Sequence, residues 1–204
     1  MTETVKIKLC GLTRVEDIAA VNRLLPDYIG FVFAKKSRRY VSPERAAELK
    51  ALLDPRITAV GVFVNETPEN IANLLESGVI DAAQLHGDED EEYISSLRKL
   101  TDKTLIKAFK VNSVQDVIKA ESSSADLVLL DSGAGTGSVF DWELIRTVKR
   151  RYFLAGGLDS RNVGEAIETL HPWAVDVSSG IETGGIKDAK KMADFISAAG
   201  RKGN

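Results

Sequence analysis

Short runs of mostly apolar residues alternate along this chain with longer stretches in which apolar positions recur every three or four residues. The first pattern predicts β-strands and the second amphipathic helices. Strand signals fall at Lys6–Cys10, Tyr28–Phe33, Ile57–Val64, Val79–Leu85, Thr104–Phe109, Ala125–Asp131, Tyr152–Ala155 and Ala174–Ser178. Several are nearly continuous in apolar residues, as expected of parallel strands covered on both faces.

Helix starts between them carry recognisable caps. Thr13 with Glu16 reads as a capping box ahead of Ile18, Ala19, Val21 and Leu24, and Pro26 closes that helix. Ser42-Pro43 and Thr67-Pro68 pair an N-cap with a proline at the first helical position. An acidic helix is predicted over Asp88–Leu100, a helix capped by Ser113 runs to Ala120, and Asp141-Trp142 opens a sixth. Helices over Ser160–Leu170 and from about Asp188 to Ala199 follow.

Eight strand signals, each followed by a helix and short connections, are the mark of parallel βαβ units. An open doubly wound sheet is the second choice. A single (βα)8 TIM barrel with parallel strands, spanning 1–204 as one catalytic domain, is preferred because eight repeats close naturally. The polar residues of interest also cluster at strand C-terminal ends, where such barrels build active sites.

Composition narrows the function. The chain has 204 residues, a net charge of −3 and no basic cluster, which argues against a nucleic-acid or membrane partner. A single cysteine excludes an internal disulfide, and the N-terminus lacks the pattern of a signal peptide, so a cytoplasmic protein is expected. His86 and His171 lie far apart in unlike contexts, so no metal site is expected.

Cys10 ends the first strand with Lys8 two residues below it on the same face. A lone cysteine is most often a small buried apolar residue, but a thiolate favoured by Lys8 and the following helix start would be a base. Asp131 ends the sixth strand and could serve as the matching acid, or simply cap a turn. Gly156-Gly157 and Ser178-Ser179-Gly180, in the loops after the seventh and eighth strands, suit a phosphate held by backbone N–H groups. Arg38 and Arg39 suit a substrate carboxylate, with Gln84 and His86 sharing one face as binding candidates and Asn65 at a neighbouring rim position. Asp176 faces inward on the last strand, beside Lys8, and the two are expected to pair.

Eight segments in order resemble the phosphoribosylanthranilate isomerase family. They are Lys8–Thr13, Gly30–Phe33 with Ser37–Tyr40, Gly61–Asn65, Gln84–Gly87, Leu129–Asp131, Gly135–Gly137 with Phe140–Trp142, Ala155–Leu158 and Val175–Glu182. The resemblance implies a (βα)8 barrel that needs no cofactor, works as a monomer or homodimer, and catalyses an Amadori rearrangement of a phosphosugar in tryptophan biosynthesis. It implies Cys10 as general base, Asp131 as general acid, Arg39 at the anthranilate carboxylate, and the glycine and serine loops at the phosphate. The segment from Asp131 to Gly137 is shorter than in many members, and Ser138 stands where a lysine often follows Gly-Thr-Gly. The resemblance therefore leaves a lid and a lysine contact open. The histidine-pathway isomerase is a rival, but it resembles a two-aspartate design with two phosphate-binding half-barrels. A binding barrel without turnover is a rival of another class, and Cys10 with Asp131 argues against it.

Overall fold

A computed structural model describes residues 4–131 and 142–200. Eight parallel strands close into a barrel in sequential order: β1 (Lys6–Cys10), β2 (Tyr28–Val32), β3 (Thr58–Phe63), β4 (Ala82–Leu85), β5 (Thr104–Lys110), β6 (Leu127–Asp131), β7 (Tyr152–Ala155) and β8 (Ala174–Val177). The helices α1 (Val15–Leu24), α2 (Pro43–Ala51), α3 (Pro68–Glu76), α4 (Glu91–Arg98), α5 (Val114–Ser122), α6 (Trp142–Ile145), α7 (Val163–Leu170) and α8 (Ala189–Ala198) follow the strands one by one.

Period-two alternation divides the core into two shells. Ile7, Leu9, Ile29, Phe31, Ala83, Leu85 and Leu105 point outward and pack under the helices. Val60, Ala82, Ile106, Leu129, Phe153 and Ala174 point inward and fill the barrel, with Tyr28 and Trp173 packed beside them. Edge-to-face contacts of Phe153 with Tyr28 (5.4 Å) and Trp173 (5.3 Å) close the end where the strands begin. Nearer the other end the interior turns polar, with Lys8 and Gln84 buried inside it. That change opens a cavity at the strand C-termini and leaves the opposite end as packed core.

The caps explain most helix starts. Ser42 accepts from the Arg45 N–H at 3.2 Å and Thr67 from the Asn70 N–H at 3.4 Å, each ahead of a proline, and Ser113 accepts from the Asp116 N–H at 3.4 Å. The first helix departs from expectation. It begins at Val15, one residue too late for a Thr13–Glu16 box, and the buried Asp17 accepts from the backbone N–H groups of Thr13 and Arg14 at 3.0 Å each. The helices expected over Ser160–Leu170 and Asp88–Leu100 begin later as well, at Val163 and, capped by Asp90, at Glu91. The glycine-rich segment after Asp131, with Ser138, and the Asp141 cap lie outside the described residues.

One element has no counterpart in the periodicity. After β8 the chain makes a short 3-10 turn (Ser179–Ile181) and then an antiparallel hairpin, β9 (Glu182–Thr183) with β10 (Ile186–Lys187). Two-residue strands are too short to show alternation. Their pairing depends on where the loop lands beside the barrel mouth.

Candidate active site

Cys10, Gln84, Asp131, Ala155, Asp176 and Val177 end or nearly end their strands and face a cavity of about 430 Å³. Loop residues Arg39, His86, Gly156, Gly157, Ser178 and Ser179 complete its wall. Parallel strands in a closed barrel bring these ends to one rim, so residues far apart in sequence share one space.

Cys10 sits on β1 with its thiol almost wholly buried beside Val32 and Val62. Gly30, its partner in register on β2, makes room for it: a Cβ at that position would lie 2.6 Å from the sulfur. Beneath the thiol, Lys8 is fully buried and donates to Asp176 Oδ1 at 2.9 Å, the pair expected from their facing positions on β1 and β8. Burial works against the Lys8 ammonium, yet Asp176 and Cys10 outweigh it and its pKa is raised.

The thiol itself behaves differently from expectation. Burial, the largest influence, pushes the Cys10 pKa up. The charges of Lys8 and Lys187 pull it down while Asp176 pushes it further up, and the net shift is upward. Lys8 thus acts in the predicted direction without winning, because desolvation of a buried thiolate and the nearby carboxylate together exceed it. The resting residue is a protonated thiol.

Gly156 and Gly157 both adopt left-handed backbone conformations, with φ of 97° and 65°. Asn162 braces their loop by donating to the Gly157 carbonyl at 3.0 Å. Ser178 donates to the Cys10 carbonyl at 3.1 Å and so ties the β8 loop to β1. Gly180 does not face the cavity. A Cβ there would sit 2.0 Å from the Leu158 carbonyl oxygen, so this glycine serves close packing between the two loops.

The two arginines separate. Arg39 lines the cavity, whereas Arg38 lies outside it with its side chain 60% exposed, because neighbouring loop residues send their side chains apart. Both reach Glu182, a residue that no strand or helix pattern marks as functional. Arg39 grips it through Nε (2.6 Å) and Nη2 (3.0 Å), and Arg38 donates at 2.6 Å. Buried Lys187 donates to the same carboxylate at 2.8 Å and to the Ser178 carbonyl at 2.8 Å. Burial alone would raise the Glu182 pKa, but hydrogen bonds from Arg39 and Lys187 bring it down to about 2. The missed signal was Glu182 and Lys187 five residues apart, flanking Gly184-Gly185.

Asn65 is not part of the cavity wall. It takes a left-handed conformation (φ 53°) and its side chain accepts from the Asp88 N–H at 2.8 Å, so it shapes a turn. His86 does line the cavity. Its Nδ1 is 2.7 Å from Gln84 Nε2 and its Nε2 is 3.6 Å from Asp131 Oδ2. The loop carrying it is anchored from below by Lys107, which donates to the Gly87 carbonyl at 2.7 Å and to Glu89 at 3.0 Å. Among the described residues no cluster of three or more His, Cys, Asp or Glu could hold a metal ion, and no helix is long and apolar enough to cross a membrane.

A closed (βα)8 barrel with a thiol, a carboxylate and an arginine around one polar mouth, beside two left-handed glycines, defines the class of barrel enzymes that work on small polar substrates at their strand C-termini. Comparison with known proteins gives the particular family. Residues 7–198 match the family model of N-(5'-phosphoribosyl)anthranilate (PRA) isomerase. The chain is 44% identical over 196 residues to N-(5'-phosphoribosyl)anthranilate isomerase of Endomicrobium trichonymphae, covering 94% of this chain and 96% of the relative. The crystal structure of phosphoribosyl anthranilate isomerase from Thermotoga maritima superposes with a TM-score of 0.88 at 39% identity, over 96% of this chain and 98% of the other. A crystal structure of phosphoribosyl anthranilate isomerase in complex with reduced 1-(o-carboxyphenylamino)-1-deoxyribulose 5-phosphate gives 0.86, also at 39% identity and with the same coverage. The chain belongs to the N-(5'-phosphoribosyl)anthranilate isomerase family, isomerases of tryptophan biosynthesis.

Proposed function

We propose that Cys10 and Asp131 are the base and acid of an Amadori rearrangement, carried out in the cytoplasm by the whole chain as one catalytic domain, monomeric or homodimeric. The substrate is N-(5'-phosphoribosyl)anthranilate and the product 1-(2-carboxyphenylamino)-1-deoxyribulose 5-phosphate. The observation that carries this reading is a single cavity lined by Cys10, Asp131, Arg39, Gly156, Gly157, Ser178 and Ser179.

Asp131 gives a proton to the furanose oxygen as the C1–O bond breaks, and the anilino nitrogen lone pair forms a C1=N bond. The positive nitrogen acidifies the C2 proton. Cys10, as thiolate, removes that proton; its electrons form a C1–C2 double bond and neutralise the nitrogen. The enolamine then takes a proton at C1 and releases the proton of its C2 hydroxyl, which leaves the ketone. Cys10 begins in the less useful of its protonation states, because a buried thiol is protonated near neutrality.

The phosphate lies against the loops after β7 and β8, where two positive-φ glycines let the backbone come close and Ser178 and Ser179 add hydroxyls. Arg39 meets the anthranilate carboxylate through the part of its guanidinium that Glu182 does not hold, while Lys8 and Asp176 support the site electrostatically from below. Loss of N-(5'-phosphoribosyl)anthranilate fluorescence on mixing with the protein tests the reading. Cys10→Ala and Asp131→Asn are each expected to lower kcat by roughly 10²-fold or more. Near wild-type kcat in either variant would remove that residue from its role.

A further inference from the structure

A chain of three hydrogen bonds and one longer contact crosses the barrel along the floor of the cavity. Asp176 accepts from Lys8 at 2.9 Å, Lys8 donates to Gln84 Oε1 at 2.8 Å, Gln84 Nε2 faces His86 Nδ1 at 2.7 Å, and His86 Nε2 ends 3.6 Å from Asp131 Oδ2. Its start lies below Cys10 and its end beside Asp131.

Donor and acceptor capacity orders the three hydrogen bonds. An ammonium has only donors, so the Gln84 atom facing buried Lys8 must be the carbonyl oxygen. The other end of the same amide is therefore NH2, also a donor, and it points at His86 Nδ1. That nitrogen must offer a lone pair, so the ring proton lies on Nε2, the nitrogen directed at Asp131. Gln84 and Lys8 are almost wholly buried, and no solvent rearrangement can relax this order at the Lys8 end.

We propose that Gln84 and His86 are positioning residues: the Lys8-oriented amide of Gln84 fixes the Nε2–H form of His86, which orients the Asp131 carboxyl through Oδ2. The Nε2···Oδ2 separation is just beyond hydrogen-bond length. A small side-chain movement closes it. A donor at Oδ2 leaves the acid proton of Asp131 on Oδ1, and after transfer the same N–H stabilises the carboxylate. His86 thus acts through Asp131 and not as a direct substrate contact. The proposal rests on the acid role of Asp131 argued above.

Long-range proton–nitrogen correlation spectra of the imidazole-labelled protein at mildly alkaline pH read the tautomer directly. The wild-type protein should show His86 neutral with its proton on Nε2. In Gln84→Glu a carboxylate faces Nδ1 and accepts a proton there, so the spectrum should move to the Nδ1–H form or the imidazolium. The same variant should lose about tenfold or more in kcat, a part of the acid's contribution, with KM within about twofold. A wild-type Nδ1–H or imidazolium signal would overturn the relay without need of any variant. An altered tautomer in Gln84→Glu with unchanged kcat would overturn it as well. If instead Asp131→Asn retains wild-type kcat, the acid assignment fails, whereas inactive Asp131→Asn alongside a wrong tautomer sinks the relay alone.

Discussion

Cys10 owes its place to a residue with no side chain. A methyl group on Gly30 would stand 2.6 Å from the sulfur and force the thiol aside. Gly30→Ala is accordingly expected to lower kcat by about 10²-fold, the scale on which a misplaced reacting group costs rate, while circular dichroism stays native. The pKa direction of Cys10 gives a second prediction. A base must be deprotonated, and the Cys10 value is raised above the ordinary thiol value of 9.0 by burial first. The rate at which iodoacetamide alkylates Cys10, the single cysteine of the chain, should therefore keep rising with pH past that value, and a rate that levels well below it would refute the upward shift. The identity of the thiol and of Asp131 was legible at strand ends. The direction of the shift was not, since it depends on how much water the folded barrel removes.

Among the elements, the βα units could be read from periodicity and caps, and Ser42-Pro43 and Thr67-Pro68 act as their sequence predicts. The Glu182–Lys187 hairpin could not, because neither strand is long enough for a pattern. Yet it carries the carboxylate that holds Arg39, and its acid response is predictable. The Glu182 pKa falls from 4.5 to about 2 in the folded protein. A depressed folded value means that its contribution to stability is complete above 4.5 and is lost as pH falls from there toward about 2. Urea midpoints of Glu182→Gln should lie below wild type at neutral pH and converge with it through that acid window. Parallel curves across the window would show that the Arg39 and Lys187 contacts contribute nothing to stability.

Across the whole molecule, stability and chemistry occupy opposite ends of one barrel. Phe153 is fully buried in the aromatic plug where the strands begin, remote from the rim. Phe153→Ala should cost about 3–5 kcal/mol by urea unfolding, with kcat and KM of the folded protein near wild type. A large loss of kcat in fully folded Phe153→Ala would show that the two ends are coupled. The sequence by itself determined the alternation of strand and helix, the closure implied by eight repeats, and the side chains at strand ends, because these follow from local period and cap chemistry. Only the tertiary structure decided which arginine faces the cavity, that Gly180 packs against Leu158 and leaves the cavity wall, that Glu182 and Lys187 join the site, and that Lys8 orders Gln84 and His86. Those outcomes depend on contacts between residues up to 168 positions apart, as in Lys8 with Asp176, and on the desolvation that such contacts bring.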